Sequence, residues 1–208
     1  MITTVIFDLG GVLVRTEDRV PRKKLAKQYG MDYWELSNLV YRTESSKKAT
    51  VGEISADEHW KNLQEELGLD DQQLQRFEEE FWGGDVLDEE LIDFIRDLKA
   101  DYTTALLSNA WDNLRLLMRE TWNIDQVFDQ IFISAEIKLA KPDDRVYQYI
   151  IHQLEGEPGE MVFLDDFEEN VKAARQNGIN AIHFRSREQA LGELRELLDA
   201  DLDQAGEL

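Results

Sequence analysis

Strand-like and helix-like segments alternate along the second half of the chain, and this alternation restricts the possible folds more than any other feature. After Asp88, the short apolar runs YTTALLS, QIFIS, MVFLD and AIHF are separated by amphipathic stretches of helical period. A fifth run, ITTVIFD, stands near the N-terminus. Strands that alternate with helices form a parallel sheet with helices on both faces. The sequence therefore predicts an α/β, Rossmann-like fold.

The segment between the first strand and residue 85 has a different pattern, because it reads as helical throughout. Ser55 stands three residues before Glu58, which is the spacing of a capping box at a helix N-terminus. The stretch DDQQLQRFEEEFW is amphipathic and stops at two glycines. We predict that residues 16–85 form a small all-helical cap over one end of the sheet, inserted after the first strand. Residues 1–15 and 86–208 are then the α/β core.

The formal charge of −21 excludes several kinds of partner. Nucleic acids and anionic membranes bind clustered Lys and Arg, so we expect neither as a partner. An anionic ligand would need a local site built from backbone N–H groups, a few cations or a bound metal. Cys is absent, and neither a signal peptide nor a membrane-spanning segment is predicted, which favours a cytoplasmic protein.

Polar residues stand where the predicted strands end. These residues are Asp8 after the first strand, Ser108 and Asn109 after the second, Lys141 shortly after the third, and Asp165 and Asp166 after the fourth. Ligands bind beyond the carboxyl ends of parallel strands, so we expect these side chains to share one crevice. Adjacent carboxylates beside a third repel each other unless a cation lies among them, and this favours a bound metal ion.

Four segments carry a family resemblance. FDLGGVL, LLSNA, KPDDRVY and FLDDFEEN resemble, in this order, the four motifs of the haloacid dehalogenase superfamily, which consists largely of Mg²⁺-dependent phosphatases. FDLGGVL and the helical cap especially resemble the subgroup that contains bacterial α-glucose-1-phosphatases and the phosphatase domain of soluble epoxide hydrolases. The resemblance covers nearly the whole chain. It implies hydrolysis of a small phosphomonoester, for example a sugar-1-phosphate.

The resemblance also implies a role for each matching residue. Asp8 would be the nucleophile that forms an aspartyl phosphate, with Lys141 as a point charge that holds nucleophile and phosphate together. The groups expected to bind phosphate oxygens are Lys141, the Ser108 hydroxyl and the backbone N–H groups of Leu9, Gly10 and Asn109. The expected Mg²⁺ ligands are Asp8, Asp166 and the carbonyl of Gly10, supported by Asp165 and Asn170.

Gly10 departs from the superfamily pattern. Most phosphatases of the superfamily have a second Asp there, two residues after the nucleophile, as general acid and base. Such a group contributes about 10²–10⁴-fold, so its absence should slow the reaction without abolishing it. Glu17 and Asp18 are the nearest substitutes in the sequence. The alternative left open is a phosphate-binding or protein-interaction module that has lost turnover with that Asp.

Substrate choice is expected to depend on the cap and on the loop that leads into it. The candidates are Arg15, Thr16, Tyr41, Arg42 and Trp60. The three histidines, His59, His152 and His183, are scattered, so a histidine metal site is not expected. A small phosphorylated metabolite is the expected partner of a monomer or homodimer.

Overall fold

A five-stranded parallel sheet lies at the centre of the computed structural model, which describes the backbone of residues 1–205 and the side chains of residues 1–199. The strands are β1 (Thr4–Phe7), β2 (Val14–Thr16), β3 (Asp85–Leu87), β4 (Thr103–Ser108), β5 (Gln130–Ile133), β6 (Met161–Asp165) and β7 (Asn180–His183). The order in the central sheet is β5-β4-β1-β6-β7, and all neighbours are parallel. The predicted Rossmann-like α/β fold is confirmed.

Helices cover both faces of this sheet and also form a separate layer. The helices between β2 and β3 are α1 (Val20–Gln28), α2 (Tyr33–Tyr41), α3 (Glu44–Thr50), α4 (Ala56–Leu67) and α5 (Asp71–Trp82). The helices after β3 are α6 (Glu89–Leu98), α7 (Leu114–Glu120), α8 (Ser134–Ile137), α9 (Asp144–Gln153), α10 (Glu168–Gln176) and α11 (Arg187–Ala205). No helix within residues 1–205 is long and apolar enough to cross a membrane.

Alternation along the strands builds an apolar layer on each side of the sheet. In β1, Val5 and Phe7 join a cluster that includes Leu91 of α6, whereas Ile6 joins a second cluster with Val146 of α9. Successive side chains of a strand point to opposite faces, which explains why an almost continuous apolar run is buried on both. The outcome is a rigid sheet whose carboxyl edge can position polar side chains.

The five helices α1–α5 have their own apolar core, which contains Leu25, Leu36, Leu63 and Phe77. The predicted capping box is present at the start of α4, where the Glu58 N–H donates to Ser55 Oγ and the Ser55 N–H donates to Glu58 Oε2. The helical cap is therefore a packed layer of its own. The exact limits predicted for it, residues 16 and 85, stay a prediction.

The connection between cap and core differs from the prediction that no strand occurs between the first strand and residue 85. Strands β2 and β3 pair in antiparallel fashion, with Val14 opposite Leu87 and Thr16 opposite Asp85. Each has three residues, which is too short to produce a recognisable alternating pattern. The chain therefore enters and leaves the cap through one narrow two-stranded ribbon.

Candidate active site

The side chains at the carboxyl edge of the sheet are held together by a buried ion-pair network. Phe7 is level with Leu164 in the β1–β6 register, so Asp8 lies beside Asp165. The Lys141 ammonium lies between them, with Nζ 2.9 Å from Asp8 Oδ1 and 2.6 Å from Asp165 Oδ2. The side chains of all three residues are almost completely buried. One cation therefore balances only part of the local negative charge.

Asn109 positions Lys141 through its side chain. The Asn109 amide accepts a hydrogen bond from the Lys141 N–H and donates one to the Lys141 carbonyl, both at 2.8 Å. The loop after β5 is thus fastened to the loop after β4. The family resemblance implies only a backbone N–H role for Asn109, and no local pattern reveals a pairing across 32 residues. Ser108 lies at the end of β4 and is buried.

Asp165 has no free carboxylate oxygen. The Asn170 amide donates to both of its oxygens, at 2.9 and 3.0 Å, and the Phe167 N–H donates to Oδ1 at 2.8 Å. Lys141 occupies Oδ2 as well. A carboxylate saturated in this way serves to position its neighbours. The predicted supporting pair, Asp165 and Asn170, is in direct contact.

The carboxylate of Asp166, in contrast to that of Asp165, is not saturated with hydrogen bonds. Its Oδ1 atom is buried and has no hydrogen-bond partner in the part of the chain that the structure describes. Carboxylate oxygens of Asp8, Asp165 and Asp166 lie within 4.8 Å of one another. A buried carboxylate oxygen without a partner is costly unless a cation binds it. The donor set of hard oxygen ligands fits Mg²⁺.

The pKa values of these groups reflect the same shortage of positive charge. Burial raises the pKa of Asp8 to about 7, although Lys141 partly offsets the effect. Burial and the neighbouring Asp165 raise the pKa of Asp166 to about 6. Burial alone would lower the pKa of Lys141, but the charges of Asp8 and Asp165 outweigh it and raise that pKa. Asp8 and Asp166 therefore retain their protons to a higher pH than ordinary aspartates do.

Gly10 and Gly11, in the loop after Asp8, have different structural roles. Gly10 is exposed, and a Cβ placed on it would have no neighbour within 4 Å. Gly11 has a φ of +77°, and a Cβ placed on it would overlap the Asp166 carboxylate. Only glycine combines this backbone conformation with such a close approach. Gly11 is therefore required for Asp166 to reach the site, a role that the sequence analysis did not identify.

The residues expected to govern substrate choice fall into two groups. Arg15 is fully engaged, since it donates to the Val12 carbonyl and to Asp88 at 2.7 Å and pairs with Glu17 at 3.2 Å. Thr16 donates to Asp85 at 2.6 Å, and Trp60 is buried in the cap. Tyr41 and Arg42 are exposed and so remain available to a ligand.

The histidines do not form a metal site among the described residues. The cluster of possible metal ligands found there contains carboxylates only. Both His59 ring nitrogens are used inside the cap, by Ser45 and by the Val40 carbonyl. His183 Nε2 lies 2.9 Å from the Asp166 carbonyl and, with Asp166, lines an open cavity of about 760 Å³. Glu17 lines the same cavity, whereas Asp18 accepts a hydrogen bond from the Val20 N–H.

Comparison with known proteins places this site in a family. The model of the haloacid dehalogenase-like hydrolases matches residues 2–178. The chain belongs to this family. The resemblance inferred from its four motifs is thereby confirmed, as is the prediction that the protein is a hydrolase.

Individual relatives of this haloacid dehalogenase-like hydrolase cover different shares of the chain. Bifunctional epoxide hydrolase 2 of Rattus norvegicus is 32% identical over 111 residues, which are 51% of this chain and 20% of that protein. This chain thus matches only about a fifth of that relative's length. Sesquiterpene phosphatase astK of Aspergillus oryzae is 27% identical over 198 residues, or 93% of this chain and 95% of that protein.

A solved structure shares the fold. A haloacid dehalogenase family enzyme from Bacteroides thetaiotaomicron, in complex with magnesium and inorganic phosphate, has a TM-score of 0.73 with this chain at 23% identity. The match covers 88% of this chain and 93% of that one. At this identity the likeness establishes the shared fold alone.

Proposed function

We propose that the protein is a Mg²⁺-dependent phosphatase that hydrolyses a small phosphomonoester through an aspartyl phosphate on Asp8. The observation that carries this proposal is the contrast between two neighbouring carboxylates. Asp165 is saturated with hydrogen bonds, whereas the buried Oδ1 of Asp166 has no partner in the described chain and is suited to bind a cation. The full-length likeness to a sesquiterpene phosphatase supports phosphomonoester hydrolysis.

Asp8 has one oxygen free for attack. Its Oδ1 accepts hydrogen bonds from Lys141 at 2.9 Å and from the Leu9 N–H at 2.7 Å. These donors orient the carboxylate and leave Oδ2 to form a bond to phosphorus while the ester bond to the leaving group breaks. Water then cleaves the acyl phosphate, which releases inorganic phosphate and restores Asp8.

The remaining groups stabilise charge on the phosphoryl oxygens. Mg²⁺, when bound, supplies positive charge to these oxygens, and Asp8, Asp166 and the Gly10 carbonyl are the groups that would hold it. Lys141 contributes a second, fixed positive charge at the same place. The Ser108 hydroxyl and the Gly10 and Asn109 N–H groups are proposed as hydrogen-bond donors to phosphate. The Leu9 N–H, which the resemblance also assigned to phosphate, donates to Asp8 Oδ1 instead.

Gly10 has no side chain that could donate a proton to the leaving group. Glu17 is the better of the two proposed substitutes, because it lines the cavity that Asp166 and Gly11 also line. Good leaving groups need less help from an acid, so an anomeric sugar phosphate is a suitable example of a substrate. A small phosphorylated metabolite in the cytoplasm, turned over by a monomer or homodimer, completes the proposal. The charge of −21 argues against nucleic acid or an anionic membrane as partner.

The proposal is tested by the hydrolysis of an aryl phosphate with and without Mg²⁺. We expect wild-type turnover to require Mg²⁺ and Asp8→Asn to abolish it, because the amide keeps the size of the side chain and removes the nucleophilic oxygen. Asp93→Asn, which changes an exposed carboxylate on α6, is the matched control and should retain activity. Full activity of Asp8→Asn, or of protein treated with EDTA, would refute the mechanism.

The same preparation decides the alternative of a module without turnover. If wild-type protein binds Mg²⁺ and inorganic phosphate but hydrolyses nothing in a panel of sugar, alkyl and aryl phosphates, the binding module is favoured. This alternative is retained because position 10 is Gly and so has no general acid.

A further inference from the structure

Exposed aromatic rings from the cap meet a tryptophan from the core. Tyr41 at the end of α2 and Trp82 at the end of α5 are 44% and 38% exposed, and their ring centroids lie 6.0 Å apart. The Tyr41 ring lies 6.5 Å from the ring of Trp111, which follows β4. These three residues are here called the aromatic patch. Tyr41 and Trp82 are its exposed part, and Trp111, which is only 9% exposed, contacts it through Tyr41. Large apolar side chains left open in this way are typical of binding surfaces.

The core side of the aromatic patch is close to the phosphate site. Trp111 follows Ser108 by three residues, so their Cα atoms are at most about 11 Å apart. The next residue, Asp112, accepts a hydrogen bond of 2.9 Å from the Ala56 N–H at the start of α4. The loop that begins with Ser108 and Asn109 therefore continues directly into contacts with the cap.

The other side of the aromatic patch lies next to the ribbon that leaves the Asp8 loop. Arg22, beside the hydroxyl of Tyr41, donates to both carboxylate oxygens of Asp85 at 3.0 and 3.1 Å. Asp85 is opposite Thr16 in the β2–β3 pair, which begins three residues after Gly11. Tyr41 thus contacts Trp111 of the loop after β4 directly and is connected to the β2–β3 ribbon through Arg22 and Asp85.

Polar groups around the aromatic patch are already paired with one another. His59, whose ring is 4.6 Å from that of Trp111, uses both nitrogens within the cap. Arg22 donates to the Phe81 carbonyl and to Asp85. A sugar ring needs several free donors and acceptors for its hydroxyl groups, and apart from the exposed Arg42 the polar side chains named here are already paired. A hydrocarbon needs none and gains from burial against the rings.

We propose that the aromatic patch binds the organic part of the substrate, and that this part is an apolar hydrocarbon chain. The inference rests on the proposed function, because it assigns the leaving-group side of that same site. The ester oxygen would point from the phosphate site towards Trp111, and the chain would lie against Tyr41 and Trp82. A hydrocarbon phosphate then takes precedence over a sugar phosphate as the preferred class of substrate.

The test is a chain-length series from ethyl to octyl phosphate, assayed with Mg²⁺. Each methylene that is fully buried should raise kcat/KM about fourfold until the aromatic patch is covered. Trp82→Ala removes an exposed ring and should reduce the octyl-to-ethyl ratio about tenfold or more. Trp34→Ala is the matched control, because Trp34 is also an exposed cap tryptophan, 63% accessible, but lies beside Tyr33 and Arg19. It should leave the ratio unchanged.

A second measurement does not depend on turnover. Binding of ethyl- and octylphosphonate, followed by tryptophan fluorescence or calorimetry, should show tighter binding of the octyl compound in wild type and Trp34→Ala but not in Trp82→Ala. Equal affinity for the two compounds in wild type overturns the inference. Mg²⁺-dependent hydrolysis without any chain-length preference also overturns it, while the proposed phosphatase function stands. Length-dependent binding without any turnover supports the aromatic patch and removes the phosphatase function.

Discussion

Replacing Gly10 with Asp should restore a general acid without disturbing the fold. The structure offers an unusually clear comparison, since Gly10 and Gly11 are adjacent and only one of them can accept a side chain. A Cβ on Gly10 has no neighbour within 4 Å and its φ is not in the left-handed region. A Cβ on Gly11 meets Asp166 at a φ of +77°.

The expected size of the effect depends on the leaving group. A positioned acid contributes about 10²–10⁴-fold, so Gly10→Asp should raise kcat for primary alkyl phosphates by about that factor. An aryl phosphate leaves without much protonation and should gain about tenfold or less. The slope of log kcat against leaving-group pKa should become shallower. Stability changes little, because replacing glycine at a compatible φ gains about 0.4–1 kcal/mol while repulsion from Asp8 and Asp166 opposes it.

The assay is kcat for four or more phosphomonoesters of graded leaving-group pKa, with thermal unfolding as the check on folding. Gly11→Asp is the matched control, because it adds the same carboxylate one residue away. It should lose Mg²⁺-dependent activity and stability, since a left-handed φ costs a residue with a Cβ about 1–2 kcal/mol and the Asp166 carboxylate must move. If folded, Mg²⁺-binding Gly10→Asp keeps the wild-type slope, another group already supplies the proton, and Glu17→Gln should then reduce alkyl phosphate turnover.

Two further predictions concern the cation. Asp166→Asn should weaken the apparent Mg²⁺ affinity much more than Asn170→Ala, because Asn170 acts through Asp165 and such outer partners typically contribute about 10–100-fold; equal effects in a titration would remove Asp166 from the ligand set. Mg²⁺ affinity should also decrease as the pH is lowered. The cation competes with protons on Asp8 and Asp166, whose pKa values are raised to about 7 and about 6. Calorimetry should give about 20-fold weaker binding at pH 6 than at pH 8, and an unchanged affinity over this range would mean ordinary carboxyl pKa values.

Much of the central sheet could be predicted because its signals are local. Strands β1, β4 and β6 are short, mainly apolar runs that end at or just before a polar residue, and burial on both faces requires such runs. The parallel arrangement then brings Asp8 beside Asp165 without further information, as the β1–β6 register shows. Residues at strand ends are therefore the part of a site that a sequence reveals most directly.

Contacts between distant segments could not be predicted in this way. The pairing of Asn109 with Lys141 spans 32 residues and depends on how two loops pack. Arg15 illustrates the same limit, because an arginine at the entrance to the cap is a reasonable candidate for binding an anion. In the structure Asp88, 73 residues away, holds its guanidinium. The ion pair makes Arg15 part of the framework between the Asp8 loop and α6.

Gly11 shows how a residue without a side chain can determine the geometry of the proposed metal site. The loop after Asp8 must pass so close to β6 that any Cβ at position 11 would occupy the place of the Asp166 carboxylate. Asp166 can then approach Asp8, and their mutual repulsion is what makes a cation favourable there. Position 10 has no such restriction, because a Cβ there would have no neighbour within 4 Å. The absence of a carboxylate at position 10 is therefore not explained by lack of space. Glycine at position 11 is thus required for steric reasons, whereas glycine at position 10 is not. Of the two, only position 10 can be substituted to change the reaction while the site stays assembled.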